Sequence, residues 1–221
     1  MKKLSVIIPT LNEVDGLEDV LERMPREGLM DEGYSLEEIV VDGGSSDGTR
    51  RVAKGYDVEV MVVEGGKAEA VRRGLEKCDG EYVFTIDGDG SYPPEALVRM
   101  VRELEDGVDM VLGSRFLGEM EDGAMSFKNR FGNRLLTWLA NRLYDPDVSD
   151  LCTGLRGFRR SEVDVGDLVG RGFEIEASIH SSMAGGEFGE VAIDYSERFG
   201  RSKLRTLDGV KIAWRLLAGR F

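Results

Sequence analysis

Glu81-Tyr-Val-Phe-Thr-Ile-Asp-Gly-Asp-Gly90 is the stretch on which the reading of this chain turns. Tyr82 to Ile86 is a short run of aromatic and β-branched residues, the composition of a strand buried on both faces. Asp87 and Asp89 follow at its carboxyl end, separated and trailed by glycines. In open α/β sheets, ligands bind in the crevice outside the carboxyl ends of the strands. Glycine carries no side chain, so a phosphate can approach the backbone there. Two hard oxygen ligands one residue apart suit Mg²⁺ or Mn²⁺, which bind through a few carboxylates plus substrate phosphates. A second Asp-x-Asp, Asp145-Pro-Asp147, lies between turn signals with no apolar strand before it, and reads as a solvated turn.

Outward from this stretch, strand and helix patterns alternate. Leu4 to Pro9 reads as a first buried strand, followed by a helix with Leu17, Val20, Leu21 and Met24 on its apolar face. Glu38 to Asp42 reads as a strand, and Ser46 or Asp47 as the cap of a helix running to about Lys54. A strand over Val58–Val63 and a helix over Ala68–Lys77 precede the central strand. Pro93 and Pro94 open a helix ending near Glu105, and Val108–Leu112 gives a fifth strand. The economical fold is a parallel sheet with right-handed crossovers. Past Gly113 the pattern loosens. Phe127–Leu143 and Glu174–Met183 read as helices, Glu190–Tyr195 as a last strand, and Gly209–Leu217 as a basic helix with Trp214 on its apolar face. That last stripe fits either a membrane interface or the core. No internal repeat or linker interrupts the 221 residues, so a single domain is expected.

The net charge of −13 argues against nucleic acid as a partner. The charge is uneven: Met125–Tyr144 carries +4, and Arg198–Phe221 carries +6. Such segments suit an anionic partner, phosphate or a lipid surface, and equally suit solvated helix faces. No apolar run reaches transmembrane length, and Cys78 and Cys152 read as reduced cytosolic thiols.

Two further features bear on ligands. Asp42 ends a strand before a Gly-rich turn, where a carboxylate can accept from a ribose hydroxyl or a base edge, or serve as a turn residue. Gly65-Gly-Lys67 at a helix start offers backbone N–H groups and an ammonium to a phosphate, without the spacing of a Walker loop.

Taken together, the motifs resemble a known family. Val6-Ile-Ile-Pro-Thr-Leu-Asn-Glu13, Asp42-Gly-Gly-Ser-Ser-Asp-Gly-Thr49, Gly66-Lys-Ala-Glu-Ala70 and Asp87-Gly-Asp-Gly-Ser-Tyr-Pro-Pro-Glu95 stand in that family's order. Gly113-Ser-Arg-Phe116, Thr153-Gly-Leu-Arg-Gly-Phe158, Gly172-Phe-Glu-Ile-Glu176 and Tyr195-Ser-Glu-Arg-Phe-Gly-Arg-Ser-Lys203 complete the series. The chain resembles a family 2 glycosyltransferase of the GT-A fold, of the dolichol-phosphate mannosyltransferase type. The resemblance implies a Rossmann-like, mostly parallel sheet flanked by helices, with residues 1–113 binding a nucleotide sugar and residues 114–221 forming an acceptor half. It implies that Pro9, Glu13 and Asp42 hold the nucleoside and that Asp87 and Asp89 bind Mg²⁺ or Mn²⁺ on the donor diphosphate, beside Lys67 as a substrate-binding candidate from its place at the helix start. Arg115, Arg130, Arg198 and Lys203 fall where family members hold donor or acceptor phosphates. Ser91 stands where the family usually has Gln, which leaves a third protein ligand open.

The activity so implied is metal-dependent, inverting transfer of a hexose from GDP-mannose or a UDP-sugar to a polyprenyl (dolichyl) phosphate, as in protein glycosylation. The enzyme would be peripheral on the cytoplasmic membrane face. Three alternatives stand beside it. A sugar-hydroxyl acceptor needs a general base, for which Asp150 is the candidate. A sugar nucleotidyltransferase would carry a Gly/Arg-rich loop after its first strand, unlike Pro9-Thr-Leu-Asn-Glu13. A non-catalytic nucleotide-sugar binder should have lost Asp87 or Asp89, and both are present. His180, the sole histidine, reads as structural.

Overall fold

The computed structural model describes residues 1–144, 146–200 and 206–219. Seven strands form one sheet: β1 (Lys2–Thr10), β2 (Tyr34–Asp42), β3 (Glu59–Val62), β4 (Tyr82–Thr85), β5 (Met110–Ser114), β6 (Arg156–Arg159) and β7 (Phe188–Ala192). Their order is β3-β2-β1-β4-β6-β5-β7, and all run parallel except β6. From β1 the chain moves outward to β2 and β3, then returns to place β4 on the other side. The order reverses there, which opens a crevice at the carboxyl ends of β1 and β4. Thr10 pairs with Asp42 and Ile7 with Thr85, so the first nucleoside candidates and the Asp87 loop leave the sheet at the same edge.

The helices are α1 (Val14–Glu22), α2 (Arg26–Asp31), α3 (Thr49–Ala53), α4 (Lys67–Lys77), α5 (Leu97–Glu105), α6 (Phe127–Tyr144), α7 (Ile175–Ser182) and α8 (Thr206–Ala218). Strand alternation divides the core. Leu4, Val6 and Ile8 of β1 face one way, with Leu17 and Leu21 of α1 and Leu97 and Val101 of α5. Ile7 faces the other way, with Val71 and Leu75 of α4 and Ile175 and Ile179 of α7. Each fully buried Leu or Ile adds about 2 kcal/mol of transfer free energy. Ala140 and Tyr144 of α6, Ala177 of α7 and Ile212 and Leu216 of α8 make a third cluster beside the sheet.

β6 and α2 were not expected from the sequence. Arg156-Gly-Phe-Arg159 carries one apolar side chain, so it shows neither an apolar run nor alternation. Arg156 is nonetheless fully buried, because its guanidinium donates to the carbonyls of Leu151, Thr153 and Glu176. Gly157 lies opposite Phe84, whose ring fills the space a side chain would need. The last strand, expected over Glu190–Tyr195, begins at Phe188 and ends at Ala192.

The stripe on α8 is settled by packing. Ile212 and Leu216 face inward, while Leu207, Val210, Trp214 and Leu217 stay exposed. α6 behaves alike: Leu136 and Leu139 pack toward the third cluster, whereas Phe127, Phe131, Leu135 and Trp138 face outward. Among the described residues, no helix is long and apolar enough to cross a membrane.

Candidate active site

The Asp87–Ser91 loop leaves β4 at the carboxyl edge of the sheet, and α1 rests directly on it. A side chain at Gly16 would come within 2.5 Å of the Asp89 carbonyl carbon, so only glycine lets the helix approach that closely. Asp89 is buried. Its Oδ1 accepts from the Ser91 N–H at 3.1 Å and from Ser91 Oγ at 2.5 Å. Its Oδ2 pairs with the Arg198 guanidinium at 2.9 Å. Ser91 therefore orients Asp89, a contact legible in hindsight as the turn an Asp-x-Ser sequence makes.

Asp87 Oδ1 lies 2.6 Å from Lys67 Nζ, at the first position of α4. The same ammonium lies 2.5 Å from Glu176 Oε1, at the start of α7. Burial opposes the charged form of both partners in the first pair, yet Lys67 holds the Asp87 carboxyl below its ordinary range, and Asp87 and Glu176 together raise Lys67. Gly154 packs against Asp87 Oδ2 so closely that a Cβ could not fit. Glu176 Oε2 is buried without a partner among the described residues. Glu176 closes the Gly172–Glu176 motif, and α7 brings it against Lys67, over 100 residues away in the chain.

These oxygens fit a hard divalent ion. No group of three or more His, Cys, Asp or Glu side chains is gathered for a metal among the described residues. That matches an ion held by one or two carboxylates and completed by diphosphate oxygens, as Mg²⁺ and Mn²⁺ are.

The ends of β1 and β2 form the neighbouring part of the crevice. Asp42 is fully buried, and its Oδ1 accepts from the N–H groups of Gly44 (3.0 Å) and Ser45 (2.9 Å). Its Oδ2 has no partner among the described residues, and Arg50 Nε lies 3.6 Å from Oδ1. Asn12, at φ 51°, accepts from the Ser46 N–H at 2.8 Å, and the Glu13 N–H donates to Thr49 Oγ1 at 3.0 Å. These bonds lace the loops after the two strands together. Glu13 is buried beside them, and Pro9 is half-buried on β1 opposite Val41.

The basic candidates separate. Arg198 joins the carboxylate loop, as described. Arg115 is buried beside the rings of Tyr92 and Tyr195, 5.8 and 5.2 Å from their centroids. Its Nε and a terminal nitrogen each donate to Asp150 at 2.7 Å. Arg130 is exposed on α6, over the Phe116 ring at 5.9 Å. Lys203 lies outside the described residues.

Asp150, the base that a hydroxyl acceptor would need, has no exposed surface. Besides Arg115, it accepts from Asn133 Nδ2 at 2.6 Å and the Arg115 N–H at 3.1 Å. Burial would raise its carboxyl, but Arg115 holds it low. All of its acceptor capacity faces inward, which corrects its candidacy as a general base. His180 is buried against Phe188 and Tyr144, and burial followed by the charge of Arg156 pushes it down to about 3.

A family model described as glycosyl transferase family 2 matches residues 5–165. The glycosyltransferase AglJ of Haloferax volcanii is 36% identical over 176 residues, covering 79% of this chain and 56% of its own length. The dolichyl-phosphate hexose transferase of the same organism is 33% identical over 208 residues, covering 93% of this chain and 88% of its own. The chain thus spans little more than half of the first relative and most of the second. In structure, the chain superposes on glucosyl-3-phosphoglycerate synthase of Mycobacterium tuberculosis, solved with Mn²⁺, UDP and glucosyl-3-phosphoglycerate. The TM-score is 0.73 at 22% identity, over 99% of this chain and 80% of that one. This likeness identifies the fold as GT-A.

Proposed function

The chain belongs to glycosyltransferase family 2, and on that premise we propose that it moves a hexose from a nucleotide diphosphate sugar to a polyprenyl phosphate. The observation that carries the reading is the pairing of Asp87 with Lys67 and of Asp89 with Arg198 at the switch point of the sheet. Carboxylates for a metal and cations for phosphates converge on one crevice there. Residues 1–113 supply the donor side, with Pro9, Glu13 and Asp42 toward the nucleoside and Lys67 toward the diphosphate. Residues 114–221 supply the acceptor side, with Arg130 and Lys203 as its cations; Arg198 adds a cation at the carboxylate loop within reach of the donor diphosphate, and Arg115 is taken up by Asp150. GDP-mannose and UDP-hexoses are the donor candidates.

Asp87 and Asp89 would hold Mg²⁺ or Mn²⁺, which when bound stabilises the charge growing on the departing diphosphate. The rest belongs to this chain. A phosphate monoester has its second pKa near ~6 and is already a nucleophile at neutral pH, so no base is required. That agrees with an inward-facing Asp150 and a buried, neutral His180. The acceptor oxygen bonds the anomeric carbon as the bond to the donor diphosphate breaks, and the electron pair leaves with the nucleoside diphosphate. In-line attack inverts the anomeric centre. The role of the protein is positioning and charge screening between two anions. The name of the 33% identical relative supports the acceptor class.

The same reading places the protein peripherally on the cytoplasmic membrane face. The outward Phe127, Phe131, Leu135 and Trp138 of α6 and Leu207, Val210, Trp214 and Leu217 of α8 would rest among lipids. Basic residues beside them would add roughly 1 kcal/mol each on an anionic surface.

The test supplies radiolabelled GDP-mannose, UDP-glucose and UDP-N-acetylglucosamine with either a polyprenyl phosphate or the matching polyprenol. Label should enter only the phosphate, and Arg198→Ala should lose that product. Equal transfer to the free alcohol would overturn the acceptor assignment.

A further inference from the structure

Each carboxylate of the Asp87/Asp89 pair already holds a cation of this chain, and those cations approach from different elements. Lys67 comes from the N-terminus of α4 and bridges Asp87 and Glu176. Arg198 comes from the segment after β7, whose backbone is tied to the carboxylate loop. The Phe199 N–H donates to the Asp89 carbonyl at 2.9 Å, and the Ser196 N–H to the Ser91 carbonyl at 3.1 Å. Ser91 occupies Asp89 Oδ1, so a cation reaching that carboxylate must engage the oxygen that Arg198 now holds. A divalent ion arriving alone would compete with both cations and repel them at close range. A diphosphate arriving alone would face three carboxylates. When ion and diphosphate arrive together, the phosphate oxygens offer Lys67 and Arg198 new acceptors as the ion takes their old ones.

We propose that Lys67 and Arg198 are exchange cations, each neutralising one carboxylate while the donor is absent and transferring to the donor diphosphate as the metal arrives. The inference rests on the donor reading above. Both bind the donor directly, and their consequence is thermodynamic: metal and nucleotide bind weakly alone and strengthen each other. Coupling of this kind is reciprocal. Glu176 keeps Lys67 within reach, because its Oε1 lies 2.5 Å from the ammonium nitrogen.

The experiment measures Mn²⁺ binding by water-proton relaxation, with and without UDP or GDP, and nucleotide binding by calorimetry with and without Mn²⁺. The proteins are the wild type, Lys67→Met, Arg198→Gln and, as a control, Arg73→Gln. Arg73 lies on the exposed side of α4, paired with Glu69 and Glu76. In the wild type, the nucleotide that binds should tighten Mn²⁺ at least about tenfold, and Mn²⁺ should tighten it equally. In Lys67→Met and Arg198→Gln, Mn²⁺ alone should bind about tenfold tighter and the nucleotide alone more weakly, so the coupling factor shrinks by about tenfold. Arg73→Gln should behave as wild type. Static positive charge would shift Mn²⁺ affinity equally with and without nucleotide, so an unchanged coupling factor overturns the exchange even if affinities move. Arg198→Gln decides the matter if Lys67→Met fails to fold, because Arg198 is partly exposed and outside the sheet. Failure of both UDP and GDP to bind the wild type with Mn²⁺ present would instead overturn the donor reading, and the exchange with it.

Discussion

The loop after β4 and the segment just before β6 both pair carboxylates with cations, but they leave those carboxylates in opposite states. Before β6, Asp150 is fully buried and meets Arg115 through two side-chain bonds and one backbone bond, with Asn133 completing the set. After β4, the side chains of Asp87, Lys67 and Arg198 keep 20%, 16% and 25% of their exposure, while Asp89, at 5%, is open only through its Arg198 partner. An inward, saturated pair cannot change partners without leaving a charge unpaired in low dielectric. A pair at the crevice edge can, because water and an arriving anion replace what is lost. Geometry of partnership, more than residue type, separates the structural carboxylate from the candidate functional ones.

The largest expected effect strikes the open pair. Asp89→Asn should lower transfer by about 10³-fold or more while the fold persists, since it removes charge from the site and little packing. Steady-state turnover with Mg²⁺, read beside the circular dichroism spectrum, checks this; full turnover by the variant would break the metal assignment.

The sealed pair should respond in the other currency. Asp150→Ala strands Arg115 beside two tyrosines, so unfolding by urea should show a loss of about 3–5 kcal/mol. A variant of wild-type stability that had lost transfer would erase the contrast and return Asp150 to the chemistry.

His180 sharpens the comparison, being buried with neither ring nitrogen partnered among the described residues. Its pKa falls from 6.5 to about 3 on folding, so between those values the unfolded chain binds the proton that the folded chain refuses. Its contribution to stability is complete above the unfolded pKa and is lost as pH falls toward the folded one. By pH 5 it should cost about 2 kcal/mol relative to neutral pH. Urea titrations at both pH values should show His180→Leu removing that part of the acid loss; an unchanged slope would place the acid sensitivity elsewhere.

The smallest effect on stability belongs to the outward face of α6 and α8. Trp138→Ala and Trp214→Ala together should change unfolding free energy by less than about 1 kcal/mol, because both rings are mostly exposed. Co-sedimentation with anionic vesicles should nevertheless fall several-fold. Equal sedimentation of variant and wild type would detach this face from any lipid role.

The sequence alone was enough for the parallel β/α alternation through Leu112, the carboxylates at the strand end and the family resemblance. These signals are local: apolar runs, caps and turns act over a few residues, and Asp87-Gly-Asp-Gly90 carries its chemistry wherever the chain puts it. The sequence was silent on β6, because Arg156 is a buried charge whose carbonyl partners come from Leu151, Thr153 and the distant Glu176. It left the Gly209–Leu217 stripe open between core and surface, since periodicity finds an apolar face without saying what covers it; packing turned Ile212 and Leu216 inward and left Trp214 outside. Only the tertiary structure decided which cation meets which carboxylate. Lys67 with Asp87 and Glu176, Arg198 with Asp89, and Arg115 with Asp150 join residues 20 to 109 positions apart. Ion pairing depends on distance in space, and at those separations the distance is set by how the sheet and its crossovers close.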